Sequence, residues 1–195
     1  MGLLLQSMKH PVAAFQQLQQ SRFSQYWFYV LLIGIGSIYL YLFQQQLSEE
    51  TTLSPIVTFI LAIIFAIPII WLQSVIFAFF LNITAKWLGG QSTVTSLRNA
   101  LYISSAPYAA MVPVFIIWSF ISPHTFFDDV AGVPGIIGTI WMFVLSVWSF
   151  ILMLYTVAAA AQFSKWRAFF AGLIVFVCFI LIAILIGITF VIVFM

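Results

Sequence analysis

Long apolar runs separated by short polar stretches organise this chain. The first run covers about 26–46, preceded by Arg22 and closed by Gln44, Gln45 and Gln46, with Glu49 and Glu50 following. The others cover about 55–84, 100–122, 136–162 and 168–195, and Lys86, Arg98, Lys165 and Arg167 mark their edges. A helix rising 1.5 Å per residue needs about 20 apolar residues to cross roughly 30 Å of hydrocarbon. All five runs meet that length, and their unbroken apolar character does not suit the alternating strands of a membrane barrel. In lipid, backbone groups must bond within the segment, so the pattern predicts five transmembrane helices in an all-α polytopic bundle.

The first 25 residues read differently. Pro11 suits a helix start, Val12, Phe15 and Leu18 recur on one face, and Gln16, Gln17, Gln19 and Gln20 mostly face away. This predicts an amphipathic helix lying along the membrane surface in 1–25, followed by a five-span domain in 26–195. No cleavable signal peptide is expected, because no short apolar run ends in a small-residue cleavage site.

Composition narrows the class. Of 195 residues, 65% are apolar and only 5% are charged, where a soluble domain carries about a quarter. Mean hydropathy is +1.21. That much apolar surface excludes both a soluble globule and a disordered chain. One cysteine, Cys178, excludes a disulfide scaffold.

The net charge of +2 conceals a segregation. With five spans, all six basic residues (Lys9, Arg22, Lys86, Arg98, Lys165, Arg167) fall on one side. Glu49, Glu50, Asp128 and Asp129 fall on the other. The positive-inside rule then puts the N-terminus in the cytoplasm and the C-terminus outside. Trp27, Trp87 and Trp166 sit at expected inner ends and Trp141 near an outer end, while Trp71 and Trp148 are mid-span and are expected to pack between helices.

Catalytic chemistry finds little support. No span carries a central charge, both His10 and His124 fall in loops, and no His-Glu-x-x-His, phosphate-binding glycine loop or paired-cysteine motif occurs. Glu49-Glu50 resembles the paired glutamates of prenyl-processing metalloproteases, but Ser54 stands where their arginine belongs. His124, Asp128 and Asp129 share an outer loop and are the metal-site candidates, although acidic outer loops also follow from this topology alone. No cofactor and no nucleic-acid partner is expected. Gln73, Ser74, Asn82, Ser146 and Ser149 are polar within spans, where side chains either bond helix to helix or line a path.

The stretch from Lys86 through Leu88-Gly89-Gly90 to Arg98 predicts a glycine turn, with Thr93 or Thr95 capping the next helix. That helix passes through Tyr102-Ile103-Ser104-Ser105-Ala106 into Pro107, with Pro113 beyond, so a broken or kinked third span is expected. Pro68 is a further candidate hinge, in the second span.

Three features together resemble the Yip-one family of Ypt/Rab-interacting membrane proteins. They are Pro11 with Ala14-Phe15, the glycine pair leading through Thr93 to Ser104-Ser105-Ala106-Pro107, and the five-span layout with its alanine-rich fourth-span end. Many relatives have a further glycine where this chain has Ser92. The resemblance implies a non-enzymatic membrane protein. Eukaryotic relatives associate with Rab-type GTPases and with one another, and carry a much longer cytoplasmic N-terminal domain. This chain is similar to the short bacterial members, for which no Rab partner is expected and the cell inner membrane is the expected site. An endomembrane of the endoplasmic reticulum or Golgi is the alternative.

Three functions follow as expectations. The first is self-assembly or partner binding in membrane organisation or trafficking, through a basic cytoplasmic loop containing Lys86, Gly89, Gly90 and Arg98. The second is a small-solute or ion carrier that uses the proline-broken second and third spans. The third is a lipid-handling or membrane-shaping protein in contact with membrane lipid.

Overall fold

The computed structural model describes residues 2–45, 54–123, 126 and 133–194. Eight helices are described: α1 (Gly2–Lys9), α2 (Pro11–Gln20), α3 (Phe23–Gln45), α4 (Pro55–Trp87), α5 (Val94–Ser104), α6 (Ala106–Ile121), α7 (Val133–Ala161) and α8 (Lys165–Phe194). Among them α3, α4, α7 and α8 are each long and apolar enough to cross a membrane alone. α5 and α6 meet the same test only as a pair, bent by 44°. The fold is therefore all-α, with four spans, or five if the bent pair counts as one.

The bend has a local cause. Pro107 has no N–H, so the carbonyl of Ile103 loses its usual partner and the pyrrolidine ring crowds the preceding turn. The helix stops at Ser104 and restarts at Ala106. Ser104 and Ser105 each turn their hydroxyl back to the Leu101 carbonyl at 2.9 Å. Pro68 and Pro113, by contrast, lie inside uninterrupted helices.

Packing follows side-chain size more than polarity. The buried positions of α4 include Thr58, Ala62, Ala66, Ile70, Ser74 and Ala78, each four residues after the last. Four-residue steps trace one slowly drifting helix face, and small residues there let neighbouring backbones approach closely. α3 answers with Gly34, which lies against the Ala66 backbone, and Gly36, which lies against the Tyr108 backbone on α6. α3 thus packs on both α4 and α6, α5 on α4 and α7, and α8 on α4 and α7.

The N-terminal segment forms two helices divided at His10-Pro11. α2 buries Ala14, Phe15 and Leu18 and exposes its glutamines. It packs against α5 and α7, so its apolar face is turned to the bundle where the sequence pattern pointed to a lipid surface. α1 packs against α6, and its Ser7 is fully buried. Tyr29 Oη donates to the Tyr102 carbonyl at 3.0 Å and lies 3.3 Å from Ser7 Oγ. One hydroxyl therefore links the N-terminal helix, α3 and the last turn of α5.

Two tryptophans depart from expectation. Trp71 and Trp148 face outward, 48% and 40% exposed, instead of packing between helices. Around Trp71, α4 makes its buried contacts largely through small residues, Ala66, Ser74 and Ala78 among them, which leaves that bulky indole on the lipid side.

Candidate functional site

The bundle encloses a cavity of about 1050 Å³, bounded by α3, α4, the α5–α6 break, α7 and α8. On α4, α7 and α8 the lining residues fall near the middle of each helix, at Ile69–Phe77, Ser146–Met153 and Phe179. On α3 the lining runs from Ser37 to Gln44 in the last turn. Tyr41, Gln44, Leu72 and Gln73 are exposed at the cavity's edge, so it opens sideways from mid-span toward the end of α3.

Its walls are mostly aliphatic and aromatic, and no charged residue lines it among those described. Eleven lining residues nevertheless carry hydroxyl or amide groups, and they divide into two sets. Some are already bonded. Ser74 Oγ donates to the Trp71 carbonyl at 2.9 Å and lies 3.3 Å from Tyr102 Oη. Ser149 Oγ donates to the Ser104 carbonyl at 2.8 Å, joining α7 to the end of α5. Others are not. The side chains of Ser37, Gln73, Tyr108 and Ser146 make no hydrogen bond among the described residues. They come from α3, α4, α6 and α7 and share this one space.

The mid-span polar residues picked out in the sequence divide between the cavity wall and the loop after α4. Gln73, Ser74, Ser146 and Ser149 line the cavity. Asn82 does not; its Oδ1 accepts from Ser92 Oγ at 2.9 Å and braces the loop after α4. Ser92, the departure from the family pattern, is therefore a bonded and buried residue. Ser37 and Tyr108 escaped the sequence reading, because one serine or tyrosine in a span carries no periodic signal.

The loop after α4 has its own geometry. Gly89 has φ +81°, its N–H bonds the Lys86 carbonyl, and the Gly90 N–H bonds the Ala85 carbonyl. These bonds close the helix end through a left-handed residue. Gly90 lies against the Ala161 backbone, and the Gln91 N–H bonds the Ala161 carbonyl at 2.9 Å. The loop is thereby fastened to the α7–α8 turn. Thr93 caps α5 by accepting from the Ser96 N–H at 3.1 Å.

The four loop candidates do not form a single surface. Lys86 and Gly89 are exposed, Gly90 is packed, and Arg98 is half-buried on α5 with its Nε enclosed. Lys86 and Gly89 instead share their end of the bundle with Trp87, Lys165, Trp166 and Arg167, all exposed. Lys165 Nζ sits 3.6 Å over the Tyr155 ring. Of the hinge candidates, only Pro107 adjoins a break. The metal-site candidates His124, Asp128 and Asp129 lie outside the described residues, as do Glu49 and Glu50.

Four long apolar helices, with a further apolar pair bent by 44°, define an integral, multi-pass helical membrane protein. The Yip1 domain pattern matches residues 5–187, nearly the whole chain, so this chain belongs to the Yip1 domain family. No curated protein and no solved structure matches it.

Proposed function

We propose that this protein is a non-enzymatic membrane component that acts by associating within the bilayer with further copies of itself or with other membrane proteins. The reading includes the orientation inferred from charge, with the basic end in the cytoplasm.

The second half of α8 carries this reading. α8 buries Ala168, Ala171, Gly172 and Val175 against the bundle, but none of Ile180–Thr189 is buried. Ile180, Leu181 and Ile182, which point in different directions around the helix, are all 40% or more exposed. Ala183 and Gly187 stand four residues apart on this stretch, and the space beside Gly187 is open. Small residues at that spacing let two membrane helices meet closely, where packing and weak Cα–H bonds drive association.

Energy transfer between two labelled populations in vesicles tests the proposal. Transfer should persist as lipid is added in excess and should fall when Gly187→Leu blocks close approach. Transfer no greater than random collision at every lipid ratio would dismiss self-association. Partner association would then rest on what co-purifies in gentle detergent.

A further inference from the structure

We propose that the lateral cavity is a binding site for a neutral, diacylglycerol-type lipid held at mid-membrane depth. The proposal is independent of the self-association reading and rests on the polar groups that the fold leaves unpaired.

An amide or hydroxyl in hydrocarbon without a partner is costly, and membrane helices ordinarily satisfy such groups internally. Five of the lining residues that carry such groups do so: Ser74, Tyr102, Ser104, Ser105 and Ser149. Ser37, Gln73, Tyr108 and Ser146 do not, and they converge from four helices. Gln73 alone offers two N–H donors and an acceptor. The cavity therefore presents donors and acceptors to whatever occupies it.

Three properties select the occupant. Without a lining charge, nothing would compensate a phosphate or a metal ion drawn into this low-dielectric space. Ile70, Phe77, Phe150, Met153 and Phe179 supply an apolar wall suited to acyl chains. At about 1050 Å³ the space lies at the upper end of the roughly 300–1,000 Å³ typical of small-molecule sites. Its opening includes the mid-span positions Leu72 and Gln73, which gives a ligand a route in through lipid. A phospholipid keeps its charged head at the interface, about 15 Å from the midplane of a 30 Å core. Diacylglycerol has a single hydroxyl and two ester carbonyls, carries no charge, and can bring those groups to the depth of Gln73 and Ser146.

The test uses the full chain in phosphatidylcholine vesicles containing a diacylglycerol with a photoactivatable acyl chain. After irradiation, adducts should concentrate in segments 69–77 and 146–153. Unlabelled diacylglycerol should compete for them and phosphatidylglycerol should not. Gln73→Leu with Ser146→Ala should lower this labelling about tenfold, the ratio expected for losing two modest hydrogen bonds. Ile184→Ala, on the exposed half of α8, should leave it unchanged. Circular dichroism and gel filtration establish that each variant folds. If the double variant does not, Tyr108→Phe removes one hydroxyl with almost no change in volume and should lower labelling by itself. Adducts spread evenly over lipid-facing helices, equal competition by phosphatidylglycerol, or undiminished labelling in the folded variants would each overturn the proposal.

Discussion

Ser149 Oγ donates a 2.8 Å hydrogen bond to the carbonyl of Ser104, the last residue of α5 before the bend into α6. A broken helix exposes carbonyls that lose their intrahelical donors, and in a membrane no bulk water replaces them. A side chain from α7 supplies one such donor. The bond therefore belongs to the break as much as Pro107 does.

Removing that donor measures its contribution. Ser149→Ala should destabilise the protein by about 1 kcal/mol, within the range of membrane side-chain hydrogen bonds. For a chain of this length the thermal midpoint should fall by roughly 2–4 °C. Ser149→Thr retains the hydroxyl and should recover most of the loss. A thermal melt in detergent followed by circular dichroism reads both.

The N-terminal helix depends on a similar tie. Tyr29→Phe removes the hydroxyl that reaches the Tyr102 carbonyl and Ser7. Amide exchange should then rise across 2–9, while most of α4 stays protected. Ser7→Ala should produce a smaller rise, because Tyr29 would keep its bond to Tyr102. Hydrogen–deuterium exchange resolved by peptide separates the two effects, and equal exchange in both variants would contradict this arrangement.

Two glycines should respond in opposite ways to the same change. Gly34 lies against the Ala66 backbone, which cannot move aside as a side chain can. Gly34→Leu should cost about 3 kcal/mol or more by overpacking and should lower the yield of folded protein. Gly187 has open space beside it, so Gly187→Leu should leave the monomer's melting point nearly unchanged. Gel-filtration yield and thermal melts of the two variants provide the comparison.

Left-handed positions supply another opposed pair. Gly89 has φ +81° and Gln162 has φ 56°, a region that costs a residue with a Cβ about 1–2 kcal/mol. Gly89→Ala should therefore destabilise by about 1 kcal/mol, and Gln162→Gly should stabilise by a similar amount. Both residues sit at helix ends joined through the Gln91–Ala161 bond, so the two effects should not be fully additive.

Much of the local design was legible in the residues alone. The Thr93 cap, the glycine turn at 89–90 and the break before Pro107 are short-range chemistry, and each stands where its residues predicted. The cavity was only half legible. Gln73, Ser74, Ser146 and Ser149 are conspicuous as polar residues in apolar spans, but nothing in their spacing placed Ser37 and Tyr108 beside them. Nor did α2's apolar stripe reveal whether it covers lipid or protein, since both are apolar neighbours.

By itself the sequence determined the membrane class and the presence of long apolar helices, because the cost of placing polar backbone and charge in hydrocarbon is set by composition and length. Tertiary structure decided which faces meet. In water, the hydrophobic effect writes buried and exposed faces into a polar–apolar period; in lipid both faces are apolar and that period fades. What distinguishes the inner face of α4 is the smallness of Ala62, Ala66 and Ala78, and the value of a small residue exists only where another helix, such as α3 at Gly34, comes close enough to use it.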